Sequence, residues 1–296
     1  MDMRDVLFNE IYDLAMLDEN IILLTADMGA FSLTKFEKDL PKQYINVGIA
    51  EQFMIDFAAG LSLSGKKVFV YALIPFITQR CYEQLVVNLC NMNLSVVIIG
   101  IGPGFTYGID GPTHHALQDI AIMRAIPNMF IFSPSNPKAT KKVVKEVNDR
   151  IGPSYVRLEK GNFPELSETP ILEEYDLTIV ATGAMVHLAL EIKNILHKKS
   201  INAEVVDLCQ IWPLPLSVLL ASSAWNKVVT IEEHSIIGGI GSIIESIAKE
   251  KLIKKFGVIG SLTRHGDRDW LHQTYRLDAN SIVEDILTHF RKIKND

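Results

Sequence analysis

Short β-branched runs alternate along the chain with segments of helical spacing, and this alternation constrains the fold most. Seven runs have the length and composition of strands: 21–25, 68–72, 95–101, 129–132, 177–181, 203–207 and 227–232. Five segments between them repeat apolar residues at helical intervals: 6–17, 52–62, 78–89, 137–148 and 187–197. Strands that alternate with helices form parallel sheets. The run Val96-Val97-Ile98-Ile99 is apolar throughout, as expected of a strand covered on both faces. The predicted fold class is therefore α/β, with mainly parallel sheets.

The length and one irregular segment predict two domains. At roughly 100 to 200 residues per domain, 296 residues correspond to two. Residues 159–176 contain two prolines and one glycine and have no clear period, so we interpret them as a linker. The predicted domains are residues 1–165 and 175–296, each doubly wound around a mainly parallel sheet.

Charge and cysteine usage exclude several classes of protein. Lys and Arg total 29 against 35 for Asp and Glu, without a long basic stretch, so we expect no nucleic-acid partner. The charge-free stretches 84–109 and 208–226 are interrupted by Asn or Pro, so neither is predicted to span a membrane. An odd set of cysteines without metal-like spacing (Cys81, Cys90 and Cys209) and a charged start without a secretion signal predict a cytoplasmic protein with reduced thiols.

Three polar or glycine-rich segments, 25–29, 45–52 and 100–118, are the candidate sites. Ligands of open α/β sheets bind beyond the carboxyl ends of strands, and this is where two of the segments are expected. The last contains five glycines in its first twelve residues, but it fails the Gly-x-Gly-x-x-Gly pattern. Because no Gly-x-x-x-x-Gly-Lys-Ser/Thr is present either, the sequence supports neither a Rossmann cofactor site nor a P-loop.

Residue type and position leave two interpretations each for Glu51 and for His114 and His115. Glu51 begins an apolar helical segment, so it is either a buried proton-holding carboxylate or a glutamate that complements the helix dipole. The two histidines in the glycine-rich segment are either proton donors or ordinary loop residues, and no carboxylate stands at metal-ligand spacing from them. We therefore expect no metal ligands in this chain.

Four motifs, in chain order, resemble the carboxyl-terminal half of a transketolase: Asn46-Val47-Gly48-Ile49-Ala50-Glu51-Gln52, Phe57-Ala58-Ala59-Gly60-Leu61, Asp110-Gly111-Pro112-Thr113-His114 and Ile126-Pro127-Asn128-Met129. A weaker similarity continues through Thr182-Gly183 and Glu232-Glu233-His234 to Gly241. The resemblance implies a pyrimidine-binding domain followed by a transketolase C-terminal domain, in an enzyme that depends on thiamine diphosphate.

The resemblance also implies cofactor-binding and catalytic residues. Glu51 matches the glutamate that hydrogen-bonds N1′ of the aminopyrimidine and so helps the cofactor to lose its C2 proton. Asp27 and Met28 lie in a strand-end loop that approaches the thiazolium, and Phe76 is expected to stack on the pyrimidine. His114 matches a histidine that contacts hydroxyl groups of the substrate, so Glu51 and His114 are the predicted catalytic residues.

The remaining matches concern the sugar. Asp110 corresponds to an aspartate near a hydroxyl of the donor, and Arg157 to an arginine used for the sugar phosphate. Arg4 and Arg80 are further predicted substrate contacts. However, Gly102-Pro103-Gly104 stands where transketolases often place a phosphate-binding histidine, so an unphosphorylated or nucleotide-linked sugar stays open.

The chain departs from a full-length transketolase in one more respect. It has no Gly-Asp-Gly motif for the diphosphate and its Mg²⁺, and the nearest string is Gly266-Asp267-Arg268. We therefore expect a separate N-terminal subunit that carries Gly-Asp-Gly and a downstream Asn, in an α2β2 assembly. The alternatives are 1-deoxyxylulose-5-phosphate synthase chemistry, a 2-oxo acid dehydrogenase β subunit and a non-catalytic scaffold subunit.

Overall fold

The computed structural model describes residues 1–166, 175–215, 227–248, 250–260 and 264–293. Much of the predicted linker, residues 167–174, and the end of the second charge-free stretch, residues 216–226, lie outside the described residues. The chain forms two sheets covered by helices and is a mixed α/β protein with mainly parallel strands, as predicted.

Strands at both sheets follow the predicted alternation with helices. The described strands are β1 (Ile21–Thr25), β2 (Tyr44–Asn46), β3 (Lys67–Leu73), β4 (Val96–Ile101), β5 (Phe130–Phe132), β6 (Ser154–Leu158), β7 (Leu177–Ala181), β8 (Ala203–Asp207), β9 (Gln210–Trp212), β10 (Val228–Ser235) and β11 (Leu252–Val258). The first sheet has the order β2-β1-β3-β4-β6-β5-β9, and the second has the order β11-β10-β7-β8. All pairs are parallel except β5 with β9. The first sheet therefore takes its edge strand β9 from beyond the predicted linker.

The described α-helices are α1 (Met3–Ala15), α2 (Thr34–Asp39), α3 (Glu51–Leu63), α4 (Ile74–Thr78), α5 (Tyr82–Gln84), α6 (Asp119–Arg124), α7 (Pro137–Asp149), α8 (Met185–His197), α9 (Ile240–Ala248), α10 (Arg268–Thr274) and α11 (Ala279–Ile293). Short 3₁₀ turns lie at Phe31–Leu33 and Gly108–Asp110, and a π-helical turn lies at Leu85–Cys90.

Three clusters of buried apolar side chains stabilise this arrangement. One packs α1 and α7 on one face of the first sheet, around Phe8 and Phe69. A second covers the other face and contains Ile55 of α3 together with Ile240 of α9, so it joins the two parts of the chain. The third fills the second sheet and its helices, and it also includes Phe105 from the segment after β4.

The structure corrects one predicted helix. The apolar spacing of residues 78–89 predicts a single helix, but α4 ends at Thr78 and a turn follows before α5 begins at Tyr82. The Thr78 hydroxyl donates to the carbonyl of Ile74 at 2.7 Å, and the Arg80 N–H returns to the carbonyl of Pro75 at 3.2 Å. This tight turn places the Arg80 side chain beside the amino end of α3.

Candidate active site

The segments that follow β1 and β2 are joined at the carboxyl edge of the first sheet. The side-chain oxygen of Asn46 accepts hydrogen bonds from the backbone N–H groups of Asp27 and Gly48, each at 3.0 Å. Asp27 and Gly48 adopt positive φ angles of 53° and 74°, the left-handed region that lets the chain turn sharply. The chain leaving the Gly48 turn enters α3, whose first residue is Glu51.

Glu51 is buried although it begins a helix. Its side chain is 5% exposed, and Arg80, which is 44% exposed, donates from Nη1 to Glu51 Oε2 at 2.8 Å. The Gln52 side chain donates to the carbonyl of Arg80 at 3.2 Å and holds the turn that carries the arginine. The helix N-terminus favours a negative group at this position. Glu51 thus combines the two interpretations of its sequence position: it is buried, and it caps a dipole.

Two aromatic rings extend this ion pair into a continuous site. The guanidinium carbon of Arg80 lies 4.2 Å from the centroid of the Phe76 ring, within the range of a cation–π contact. Phe76 in turn meets His114 edge to face, with centroids 5.1 Å apart. The Thr113 hydroxyl lies 3.0 Å from His114 Nδ1. The fold therefore brings Glu51, Arg80, Phe76 and His114 together from three separate parts of the sequence.

The other predicted residues of this edge lie on the surrounding loops. Asp27 and Asp110 are exposed, and Asp110 ends the 3₁₀ turn before Gly111, whose φ is 82°. Met28 is half-buried and packs against the apolar cluster on the α1 side of the sheet. Their roles toward the cofactor and the sugar stay predictions.

Arg157 does not lie where a sugar phosphate can reach it, contrary to the predicted contact. It is 2% exposed, and its Nε donates to Asp119 Oδ2 at 2.8 Å. Its Nη2 donates to the carbonyls of Ala116 and Glu233 at 3.3 and 3.0 Å, and the Tyr155 hydroxyl donates to the same Asp119 oxygen at 2.8 Å. Burial alone would lower the pKa of Arg157, but Asp119 offsets this and the pKa is raised. Arg157 is a buried structural cation.

Arg4 is also engaged within the chain. Its Nε lies 3.2 Å from Asp2 Oδ1, and Asp2 accepts a further hydrogen bond from the Gly161 N–H at 3.1 Å. The amino end of α1 is thereby fixed to the segment that follows β6. Arg4 is partly exposed there, and a substrate contact for it stays a prediction.

Sequence analysis missed Lys160, an exposed cation at the same edge of the sheet. Its Nζ lies 5.1 Å from the centroid of the Tyr107 ring, which belongs to the segment after β4. Lys160 falls within the predicted linker, because the sequence pattern does not mark residues 154–158 as a strand. Identifying that strand would have placed Lys160 at a strand's carboxyl end and so among the candidates.

Metal-binding and membrane-spanning features were sought in the described ranges of the chain. Within them, no group of three or more His, Cys, Asp or Glu side chains is arranged to hold a metal ion. No helix there is both long enough and apolar enough to cross a bilayer. Cys81, Cys90 and Cys209 are unpaired thiols, and burial raises the pKa of each to about 12.

Two protein-family models match the chain and together cover most of it. The transketolase pyrimidine-binding domain matches residues 1–165, and the transketolase C-terminal domain matches residues 169–282. The chain belongs to the transketolase family. The pyrimidine-binding domain of transketolases implies thiamine diphosphate as the cofactor, as expected from the four sequence motifs.

Transketolase relatives of the same length identify the chain as a subunit of the split type. A putative transketolase C-terminal section of Methanocaldococcus jannaschii is 37% identical over 292 residues, covering 93% of this chain and 92% of that protein. One of the subunits of an apulose-4-phosphate transketolase from Phocaeicola vulgatus is 34% identical, with 95% of each chain covered. A solved split-gene transketolase, described as an inactive β4 tetramer, is 32% identical with a TM-score of 0.85 and 98% coverage of both chains.

Proposed function

We propose that this transketolase chain holds the pyrimidine half of thiamine diphosphate and, with a separate partner subunit, transfers a two-carbon ketol unit from a ketose to an aldose. The observation that carries the proposal is the continuous contact from the buried carboxylate of Glu51 through Arg80 and Phe76 to His114. These side chains offer a hydrogen-bond acceptor, an aromatic surface and an imidazole at one edge of the sheet.

The residues present fit the pyrimidine half of the cofactor. Glu51 would accept or share the proton of a ring nitrogen, since its carboxylate is enclosed except toward this edge, and Phe76 would pack against the ring. When bound, thiamine diphosphate supplies the carbon nucleophile and the electron sink for carbon–carbon bond cleavage. Arg80 already holds Glu51 Oε2, so a ring nitrogen must use the other carboxylate oxygen or displace the arginine.

For the sugar, the proposal uses residues beside the cofactor position. His114 would contact or donate a proton to substrate hydroxyl and carbonyl oxygens, and exposed Asp110 would orient a donor hydroxyl. Lys160 is an exposed cation available to an anionic group on the sugar, such as a phosphate. Arg157 has no part in this proposal.

A partner subunit is required because the chain lacks the Gly-Asp-Gly motif for the diphosphate and Mg²⁺. An apolar surface lies directly beside Glu51, and we assign it to that partner: Ile49 is 78% and Phe53 58% exposed, and Phe53 stacks on Phe57 with ring centroids 5.7 Å apart. Its continuity with the half-built cofactor site argues for the diphosphate-binding subunit as occupant. We propose an α2β2 assembly and a cytoplasmic location.

One experiment separates the candidate functions. The chain is purified from its native cells with its stoichiometric partner, and the complex is assayed with thiamine diphosphate, Mg²⁺ and a panel of ketose donors and aldose acceptors. We expect two-carbon transfer and no release of CO₂ from pyruvate. Release of CO₂ during condensation of pyruvate with an aldose would instead identify 1-deoxyxylulose-5-phosphate synthase chemistry, which Arg80 beside Glu51 resembles and Pro112 argues against. A complex that binds no thiamine diphosphate would identify a scaffold subunit.

A further inference from the structure

The second domain is packed directly against the segment that carries two predicted substrate residues. We call residues 102–115 the substrate loop, because they contain Asp110 and His114. Phe105 of this loop is 1% exposed and belongs to the apolar cluster of the second domain, where its ring stacks on Tyr275 with centroids 5.3 Å apart. The Gly266 N–H also donates to the carbonyl of Gly108 at 3.1 Å.

Glu233, in β10 of the second domain, lies at the centre of this junction. Its side chain is 2% exposed. Glu233 Oε1 accepts three hydrogen bonds: from the Phe105 N–H at 3.2 Å, from Arg268 Nε at 3.0 Å and from His272 Nε2 at 2.6 Å. Because an ionised carboxylate only accepts, His272 Nε2 carries the proton. Glu233 thus joins the backbone of the substrate loop to two side chains of α10.

The charges around Glu233 hold it in the ionised form. Burial by itself would raise its pKa, but Arg268 and His272 more than offset burial and lower the pKa to about 2. Arg268 also donates from Nη1 to Glu159 Oε2 at 3.3 Å. Glu159 follows β6 directly, so one arginine connects the end of the first sheet, the second sheet and the loop between them.

Close packing fixes the loop against this cluster. A Cβ atom on Gly104 would lie 2.3 Å from Cδ of Glu233, and one on Gly108 would lie 2.5 Å from the carbonyl oxygen of Gly266. Real Cβ atoms do not approach that closely, so both loop glycines are required by the second domain. Two of the five glycines that mark this segment in the sequence therefore serve contact between domains.

We propose that Glu233 is a positioning residue that, with Arg268 and His272, holds the substrate loop so that Asp110 and His114 face the carboxyl edge of the first sheet. This gives the second domain a specific role in the reaction. The part of the inference that concerns catalysis rests on the transketolase function proposed above, whereas the part that concerns loop order does not.

Hydrogen–deuterium exchange on the full chain tests loop order without any activity. Glu233→Gln and His272→Leu each remove a charged or donating group from the junction, whereas His272→Gln keeps an N–H donor. We expect the peptide containing residues 104–116 to exchange at least about tenfold faster in Glu233→Gln and His272→Leu, with recovery in His272→Gln. The α3 peptide, residues 51–63, serves as the internal reference.

The matched control is Glu284→Gln, which makes the same chemical change at a side chain that is 72% exposed on α11. It should leave exchange of residues 104–116 unchanged. The inference is overturned if His272→Leu and His272→Gln both exchange at the wild-type rate in this peptide. Comparing the two histidine variants keeps the test decisive even where Glu233→Gln does not fold.

Kinetics of the complex with the partner subunit test the catalytic part. We expect His272→Leu to raise KM for the sugar or lower kcat by about tenfold while the affinity for thiamine diphosphate stays within about twofold of wild type. His272→Gln should restore most of the loss. Equal loss of cofactor affinity and turnover in both variants would contradict a positioning role. If the wild-type complex transfers no ketol unit, the proposed function fails, and the exchange result still decides loop order.

Discussion

Arg80 donates a 2.8 Å hydrogen bond from Nη1 to the buried carboxylate of Glu51. The same guanidinium lies over the Phe76 ring, so one half-exposed cation holds both the carboxylate and the aromatic surface of the proposed pyrimidine site. The tight turn between α4 and α5 makes this possible, because it directs Arg80 back toward the first residue of α3. The relationship identifies Arg80 as a group that orients Glu51.

Replacing Arg80 tests that role. Arg80→Ala removes the hydrogen bond and the ring contact, so we expect kcat of the complex at saturating thiamine diphosphate to fall about tenfold. Arg80→Lys keeps a donor and a charge and should recover part of the rate. Turnover in Arg80→Ala equal to wild type would show that Glu51 needs no such partner.

Arg157 should affect stability and leave the sugar contact unchanged. Arg157→Met leaves Asp119 buried without its cation, and we expect about 3–5 kcal/mol less unfolding free energy in urea. The control Arg276→Met breaks a pair in which the arginine is 53% exposed and should cost less than about 1 kcal/mol. Wild-type stability of Arg157→Met with a raised KM for a phosphorylated sugar would restore the role predicted from the sequence.

The apolar surface beside Glu51 should mediate binding of the diphosphate-binding subunit. Phe53→Asp places a charge in that surface, so we expect the affinity for the partner, measured by calorimetry, to fall at least about tenfold. Leu17→Asp makes the same change at a residue that is 89% exposed beyond the end of α1, and it should bind normally. Unchanged binding by Phe53→Asp would place the partner elsewhere.

Two neighbouring buried groups of β10 should give opposite pH dependences of stability. Burial raises the pKa of Glu232 from 4.5 to about 7, so the native state holds the extra proton and this group stabilises the fold as pH falls from 7 to 4.5. Burial lowers the pKa of His234 from 6.5 to about 4, so the unfolded state binds the proton and stability falls as pH drops from 6.5 to 4. In the wild type the two effects largely cancel.

Single substitutions should expose each effect. The unfolding free energy of His234→Asn should rise as pH falls from 7 to 4.5, and that of Glu232→Gln should fall as pH drops from 6.5 to 4. Each change should be about 3 kcal/mol, from roughly 1.4 kcal/mol per pKa unit. Urea denaturation across this pH range measures both slopes. Parallel slopes in the two variants would contradict the assignment.

The sequence predicted the apolar framework well because buried parallel strands have a plain signature. The runs 21–25, 177–181 and 203–207 coincide with β1, β7 and β8. Strand β6 was missed because it contains Arg157, a charge that a strand interior accepts only when a distant carboxylate neutralises it, and Asp119 does so here. Strand β11 was missed for a similar reason, since Lys254 and Lys255 interrupt its apolar pattern.

The site was predictable in composition but not in geometry. The motifs identified Glu51 and His114, whose family roles imply a common site, and the fold brings them to one edge. The contact between Phe105 and Glu233 could not be predicted, because the two residues are 128 positions apart and no local pattern encodes their approach. Arg157 was assigned wrongly to the surface for the same reason: the partners that bury it are distant in sequence.

The measurement that tests the account most directly is ketol transfer by the two-subunit complex carrying Glu51→Ala. Glu51 is the buried carboxylate proposed to contact the cofactor, so we expect turnover to fall by at least about 100-fold while the subunits still associate. Glu37→Ala, at an exposed glutamate of α2, should retain wild-type turnover. Full activity of the Glu51→Ala complex would contradict the central claim that this chain supplies the pyrimidine half of the thiamine diphosphate site.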